Sequence, residues 1–401
     1  MVDFKRSYMS ALAVGALLLS GSSVLAQDAV KPLVIGVIED RSGGSTFYSQ
    51  ESVKAIKLFS ELLNKGDVLF AKDTLGDKPG ILGRPIELAF EDDENNPNNT
   101  VIKTRRLLER GAEVIFFLSG SGATTQGRVV CTEQKVLCIA PTNVSAKLVE
   151  APNNEYIFTI APQSALTAEA YIEAWKKLGY KRIAGVRDSS ATSKIVGDSY
   201  VKAWEAAGFE TVAYETVEIG APDANAQMLR VRNAKPDVIM DLFASASESA
   251  AMYRSKERLK LDTPTFASNT LTATPHIWQL AGDAVNGTLV VDTIGTTNPN
   301  TNALRAAYDA KYGPNTMVWL HPMVWDGLAL VKKAAETVGS TDGTAMRDEI
   351  AKVQKFPSSF GQPGFTLNFS ADKHNGASKQ GLVVVQFADG TPSRVWDVYQ
   401  P

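Results

Sequence analysis

Three short stretches hold the residue types best suited to binding chemistry. They are Ser42-Gly43-Gly44-Ser45-Thr46-Phe47-Tyr48-Ser49, then Ser119-Gly120-Ser121-Gly122-Ala123-Thr124-Thr125-Gln126, then Pro141-Thr142-Asn143-Val144-Ser145. Small residues leave backbone N–H groups accessible, and Ser or Thr hydroxyls add further donors. Where such a stretch opens a helix, it makes a nest for a carboxylate or a phosphate. Each alone is equally readable as a turn with an N-cap. Three of them at neighbouring strand ends favour an anion site, with the aromatic pair Phe47 and Tyr48 closing the first.

The case for catalysis is weak. Ser119-Gly120-Ser121-Gly122 lacks the leading glycine of a Gly-x-Ser-x-Gly nucleophile elbow. The three histidines, His276, His321 and His374, follow no triad or metal-ligand spacing. No Gly-x-Gly-x-x-Gly follows a strand and no P-loop occurs, so no catalytic residue, metal or cofactor is expected. Asp92 and Asp93 end a strand beside a polar turn and are expected to fix that loop. Cys131 and Cys138 either pair across a helix–strand turn in an oxidising compartment or sit as two small buried residues.

The elements that must position these stretches alternate. Apolar runs at 33–38, 86–90, 114–118 and 137–140 read as buried strands. Helical patterns at 50–63, 98–111 and 124–134 lie between them. The pattern repeats with strands at 183–186, 210–214, 238–242, 265–267 and 287–291 and helices at 166–178, 194–207, 223–234 and 247–259. Further helices follow at 301–312, 324–338 and 344–352, then short strands at 364–369, 382–387 and 393–398. Strand–helix alternation with short connections predicts right-handed βαβ units and parallel sheets covered on both faces, hence an α/β fold. In such sheets ligands bind beyond the carboxyl ends of the strands, where the three stretches fall.

The 401 residues are 44% hydrophobic and 21% charged, enough for two domains. A formal net charge of -3 gives no reason to expect a nucleic acid or an anionic membrane as partner. Residues 1–26 read as a signal peptide: Lys5 and Arg6 precede an apolar run at 11–19, and Val24-Leu25-Ala26 precedes a cut before Gln27. An uncleaved anchor is the alternative, but Ser20-Gly21-Ser22-Ser23 breaks the run. No cysteine near the cut offers a lipid attachment, so the mature chain is expected to be exported, soluble and not embedded in a membrane.

Residues 33–90, the strand end Glu91-Asp92-Asp93, the stretch 119–126 and Ala140-Pro141-Thr142 resemble the type I periplasmic substrate-binding proteins of ABC importers, in particular the Leu/Ile/Val-binding proteins. The resemblance continues through 179–188, 236–242, Ala281-Gly282-Asp283-Ala284-Val285-Asn286-Gly287 and Val324-Trp325-Asp326. It implies two doubly wound parallel-sheet lobes that close on a ligand by hinge motion. Three crossovers are expected, near Pro162, Asp292 and Phe369. One lobe would be 31–161 plus 292–365, the other 162–291 plus 366–401.

By position, the resemblance assigns Tyr48 to pack on the ligand, with Phe47 beside it. Gly122 and Ala123 would give backbone donors to a carboxylate, flanked by Ser121 and Thr124, and Thr142 a further backbone contact. The family's carboxylate-binding threonine falls on Val144, so Ser145 takes the hydroxyl role. Two aromatic wall positions fall on Thr192 and Ser245, and the acid that pairs with the ligand's α-ammonium falls on Thr270. A buried ammonium without a carboxylate partner is costly. The expected ligand is therefore an organic or aromatic acid without an α-amino group, unless Asp188 or Glu248 replaces the missing partner. Trp319, His321 and Trp325 lie near a connecting segment, and Trp325 reads as core before cleft. The implied role is a monomeric periplasmic protein that captures a small solute and delivers it to a membrane permease. Amino-acid, amide or urea binding, a ligand sensor, and a secreted hydrolase are the alternatives.

Overall fold

The computed structural model describes residues 30–43, 45–273, 277–389 and 391–396. The expected leader and His276 lie outside the described residues, as does the side chain of Thr192. The strands are β1 (Leu33–Glu39), β2 (Ile86–Asp92), β3 (Val114–Phe117), β4 (Leu137–Ala140), β5 (Ile157–Thr159), β6 (Arg182–Asp188), β7 (Glu210–Val217), β8 (Val238–Asp241), β9 (Thr265–Ala267), β10 (Leu289–Asp292), β11 (Phe356–Pro357), β12 (Thr366–Leu367), β13 (Val383–Ala388) and β14 (Thr391–Trp396). The helices are α1 (Thr46–Asn64), α2 (Lys72–Leu75), α3 (Pro97–Glu109), α4 (Ser121–Gln134), α5 (Ser164–Leu178), α6 (Ala191–Ala206), α7 (Asn225–Ala234), α8 (Ala246–Arg258), α9 (Thr270–Ala273), α10 (Ile277–Ala281), α11 (Pro299–Tyr312), α12 (Leu320–Val338) and α13 (Gly343–Ile350).

Two sheets result. The first is parallel, in the order β2-β1-β3-β4-β5. The second runs β14-β13-β10-β9-β8-β6-β7, parallel except that β13 pairs antiparallel with both β10 and β14. The Val, Ile and Leu runs are there because central parallel strands bury both faces: Leu33, Ile35, Val37 and Ile38 of β1 are all fully buried. Helices α1 and α12 cover the first sheet. Trp325 of α12 is part of that core, its ring 5.5 Å from Phe59 and 6.0 Å from Phe70.

The chain passes three times between the lobes. It leaves the first sheet after β5, returns after β10 to build α11, α12 and α13, and leaves again for β13. The last passage comes later than the expected Phe369. Phe369 packs edge-on against Phe158 at 5.8 Å, and Asn375 bridges to Thr159, so residues up to Gly376 stay with the first sheet. Asn375 Nδ2 donates to the Ala161 carbonyl at 2.8 Å, which ties the first and third passages together.

Other differences have local causes. Helix α1 begins at Thr46 and α4 at Ser121, so Phe47, Tyr48, Gly122 and Ala123 lie on first helical turns and not in loops. Strands β5 and β11, and helices α2, α9 and α10, are two to five residues long, too short for a periodic signal. Of the strand expected at 364–369, only Thr366–Leu367 pairs.

Cys131 and Cys138 form a disulfide that joins α4 to β4. Closing this short loop restricts the unfolded chain. Reducing it, or replacing both residues with Ala, should lower stability by about 2–3 kcal/mol in urea unfolding; an unchanged midpoint would show that packing alone holds this turn. Asp326 of α12 is fully buried and accepts from Ser358 Oγ at 2.7 Å and Ser359 N at 3.0 Å. Burial pushes its pKa up to about 7, against the ordinary 3.8. Because the folded pKa is raised, this contribution is intact below about pH 4 and is lost as pH rises through about 7. Unfolding at pH 5 and pH 8 should show stability falling over that interval, with a shallower fall in Asp326→Asn.

Candidate functional site

A cavity of about 270 Å³ lies between the lobes. Its first-lobe wall comes from strand carboxyl ends: Ser45 and Tyr48 after β1, Leu118, Ser119, Gly120 and Ser121 after β3, and Thr142, Asn143 and Val144 after β4. Trp319, Leu320 and Met323, at the start of α12, complete that side. The second-lobe wall comes from Ser193, Val196 and Tyr200 of α6, Leu242, Phe243 and Ala244 after β8, Ser268, Asn269 and Thr270 after β9, and Val291, Asp292 and Thr293 at the end of β10. Tyr48 Oη reaches Thr270 Oγ1 across the mouth at 3.5 Å. Burial raises the Tyr48 pKa, which the Thr270 contact offsets only in part.

Buried carboxylates hold these loops. Asp40 accepts from the amides of Ser42, Gly43 and Ser45 and from the Ser45 hydroxyl, at 2.5–3.1 Å. Burial opposes its charge, but these donors win and hold its pKa below the ordinary value. Asp93 accepts from Ser119 Oγ at 2.7 Å, Thr100 Oγ1 at 2.6 Å and Asn95 N at 2.9 Å, so it fixes the loop as expected. Burial, outweighing these donors, leaves its pKa raised. In the second lobe, Asp188 accepts from the amides of Ser190, Ala244 and Ser245. Asp241 accepts from Phe243 N and Ser249 Oγ, and burial lifts its pKa to about 6.

The N-terminus of α4 opens toward the first-lobe wall without a side-chain cap. Its N-cap, Gly120, has no room for a Cβ, which would meet Asn95 Oδ1 at 2.4 Å. The hydroxyls of Thr124 and Thr125 turn back onto the helix's own carbonyls at 3.0 and 2.7 Å. The amides of Ser121, Gly122 and Ala123 have no intrahelical acceptor, and the helix dipole adds to their attraction for an anion. Among the described residues, no Lys, Arg or His lines the cavity. Amides alone suit a singly charged carboxylate far better than a phosphate dianion, whose desolvation they would not offset.

Of the residues singled out in the sequence, Tyr48, Ser121, Thr142 and Thr270 line the cavity. Phe47 is exposed and packs edge-on against the Tyr48 ring at 5.5 Å. Gly122, Ala123 and Thr124 follow Ser121 on α4 and do not line the cavity, and Ser145 stands at the N-cap position of the short turn at Ala146–Val149 without a side-chain capping bond. Ser245 stands at the N-cap position of α8, where its hydroxyl donates to Glu248, and it does not line the cavity. Asp188 and Glu248 do not replace the missing acid: neither lines the cavity, and Glu248 is engaged by Gly220 N and Ser245 Oγ. His321 stacks on Tyr308 at 4.1 Å and accepts from Val318 N; burial lowers its pKa despite Glu51 nearby. His374 stacks on Phe158 at 4.4 Å.

Sequence reasoning missed Ser193, Val196, Tyr200, Phe243, Met323 and Asp292. The first three share one face of α6 at helical spacing, directly after a strand end, and Phe243 follows another. Applying the strand-end rule to the second lobe would have found them. Three lining residues carry buried polar atoms without hydrogen-bond partners: Asn143 Oδ1, Trp319 Nε1 and Asp292 Oδ2.

A family model described as periplasmic binding protein matches residues 32–391. The chain belongs to the periplasmic binding protein family. It is 22% identical over 322 residues to Leu/Ile/Val-binding protein homolog 3 of Brucella melitensis, covering 80% of this chain and 83% of that protein. It is 24% identical over 296 residues to Leu/Ile/Val-binding protein BraC3 of Rhizobium johnstonii, covering 73% and 79%. Among solved structures, the isoleucine complex of the substrate-binding protein LivJ from Streptococcus pneumoniae aligns with TM-score 0.71 and 20% identity, over 91% of this chain and 98% of that one. A type 1 periplasmic binding protein from Bordetella pertussis aligns with TM-score 0.69 and 24% identity, over 91% and 100%. These place the fold among type I periplasmic binding proteins.

Asp40→Ala should free the loop that carries Ser45 and Tyr48. Charge-assisted bonds of this kind contribute about 2 kcal/mol each, so denaturant unfolding should show a loss of at least roughly that size. The depressed pKa gives the sign with pH. The contribution is present above about pH 4 and is lost as pH falls through the folded value. A variant as acid-resistant as the wild type at neutral pH, with no lost stability, would remove Asp40 from this role.

Proposed function

We propose that this protein is the solute-capturing component of an ABC importer, working in the periplasm and handing a small carboxylate to a membrane permease. The uncapped N-terminus of α4 at a cavity without basic side chains carries the reading. The solute's carboxylate docks on the amides of residues 121–123, with Ser121 and Thr142 beside it. Its body lies between Tyr48, Tyr200, Phe243 and Trp319. The relatives' names support a transport role for a solute of amino-acid size. Among the described residues, no helix is long and apolar enough to cross a membrane, so delivery needs a separate membrane component.

The resemblance in sequence places Thr270 where an acid would pair with an α-ammonium, which supports an acid without an α-amino group. Asp188 and Glu248 are spent on loop amides and hydroxyls, which supports the same reading. Amino-acid binding is the second reading, favoured by the relatives' names. A sensor that passes ligand closure to a receptor would use the same cavity.

Thermal melting with matched compounds tests the choice. At about 100 times the dissociation constant, a ligand specific for the folded state should raise the melting temperature by roughly 5 °C. 4-Methylpentanoate and phenylacetate should do so, and leucine, isoleucine and valine should not. A shift with leucine alone would keep the importer role and overturn the absence of an α-amino group.

A further inference from the structure

Two polar side chains of the second-lobe wall are left over once the loops and helices are held. On α6, Ser193, Val196 and Tyr200 stand at i, i+3 and i+7, one face of the helix, and all three line the cavity. Ser193 serves the fold: its hydroxyl donates to the Leu242 carbonyl and accepts from Asp188 N. Tyr200 is anchored only through its ring. That ring packs edge-on against Tyr171 with centroids 5.7 Å apart, and Tyr171 Oη donates to the Ala267 carbonyl at 2.6 Å, at the end of β9. Among the described residues, the Tyr200 hydroxyl has no hydrogen-bond partner. Burial alone raises its pKa, and no hydrogen bond draws it back. Yet the oxygen is not enclosed, unlike Asn143 Oδ1 and Trp319 Nε1 of the same cavity. A hydroxyl so deep in the protein and still open faces the cavity that its residue lines. Asn269, two residues beyond Ala267, lines the cavity as well. Among the described residues, its carboxamide is likewise without a partner and not enclosed.

This wall is neutral where a solute can touch it. Among the described residues, its one acid is Asp292, and that carboxylate is enclosed by the amides of Thr293 and Ile294 and by the Thr272 hydroxyl. An ammonium placed here would give up its water without gaining a counter-charge. A phenol and a carboxamide each donate and accept, so they match a hydroxyl or a carbonyl. A bare hydrocarbon end would strip both of water and return nothing, which is the asymmetry that makes hydrogen-bonding sites selective. We propose that Tyr200 and Asn269 determine specificity by hydrogen-bonding a neutral polar group, a hydroxyl or a carbonyl, carried by the solute away from its carboxylate. The amides of α4 stand on the first lobe and this pair on the second, so a solute with both groups spans the cleft. The assignment rests on the carboxylate reading above and narrows it to hydroxy and oxo acids.

Calorimetry on the protein with two matched series tests this. One is phenylacetate with its 3- and 4-substituted methyl, hydroxy and aminomethyl derivatives; the other is hexanoate, 5-oxohexanoate, 6-hydroxyhexanoate and 6-aminohexanoate. In the wild type, the best hydroxy or oxo acid of at least one series should bind about tenfold tighter than its apolar partner, and the amines should bind no tighter than that partner. Tyr200→Phe keeps the ring on Tyr171 and removes only the hydroxyl. The preference, taken as a ratio within each variant, should fall about threefold there and in Asn269→Ala, and vanish in the double variant. Methyl compounds as tight as their hydroxy partners throughout the wild-type series, an amine as the tightest ligand, or an unchanged ratio in the double variant would overturn the assignment. The wild-type comparison needs no variant to fold. Phenylacetate or hexanoate binding with no preference in either series would keep the carboxylate reading and overturn the role of the pair. If no acid binds the wild type, the carboxylate reading fails and the assignment of Tyr200 and Asn269 falls with it.

Discussion

Carboxylates buried at the carboxyl ends of parallel strands hold the cleft together. Each strand delivers its last residue to the same side of its sheet, and the following loop must turn sharply into a helix. Loop amides at that turn have no secondary-structure partner and need acceptors. Asp40, Asp93, Asp188 and Asp241 supply them. Removing one would leave several buried donors unsatisfied at once, a larger penalty than any single hydrogen bond contributes. The positions of Tyr48, Ser121, Phe243 and Ala244 at the cavity follow from this anchoring.

The same logic explains what the cavity leaves open. A helix N-terminus without a side-chain cap leaves amides in want of an acceptor. A solute that brings an anion supplies that acceptor and gains affinity that a capped helix would not offer. Three passages join the lobes, with Asn375 bonded to the first passage and Gly361 N donating to Thr293 O beside the second. That arrangement suits closure by small rotations at a few residues, the motion that the resemblance in sequence implies.

Much of this was readable in the chain. The apolar runs gave both parallel sheets, because strands buried on both faces have continuous Val, Ile and Leu. The stretches at 42–48, 119–126 and 141–145 stood out because Gly, Ser and Thr mark turns into helices. Helix starts were less legible: α1 begins four residues and α4 three residues before the first clear apolar periodicity, since loop anchoring and not sequence pattern sets where a helix begins. The second-lobe wall was harder still. Ser193, Val196 and Tyr200 look like ordinary surface positions until α6 is placed against the cleft. Asp292 was visible only as the end of a strand. Trp319 and Trp325 are six residues apart on adjoining turns, yet one meets the cavity and the other the core.

The most direct test of the central claim is a crystal structure of the protein with the carboxylate that stabilises it most. The account predicts one solute molecule between the lobes, its carboxylate oxygens within hydrogen-bonding distance of the backbone N–H groups of residues 121–123. A solute held with its carboxylate elsewhere, or bound outside the cavity with the α4 N-terminus still bare, would contradict it.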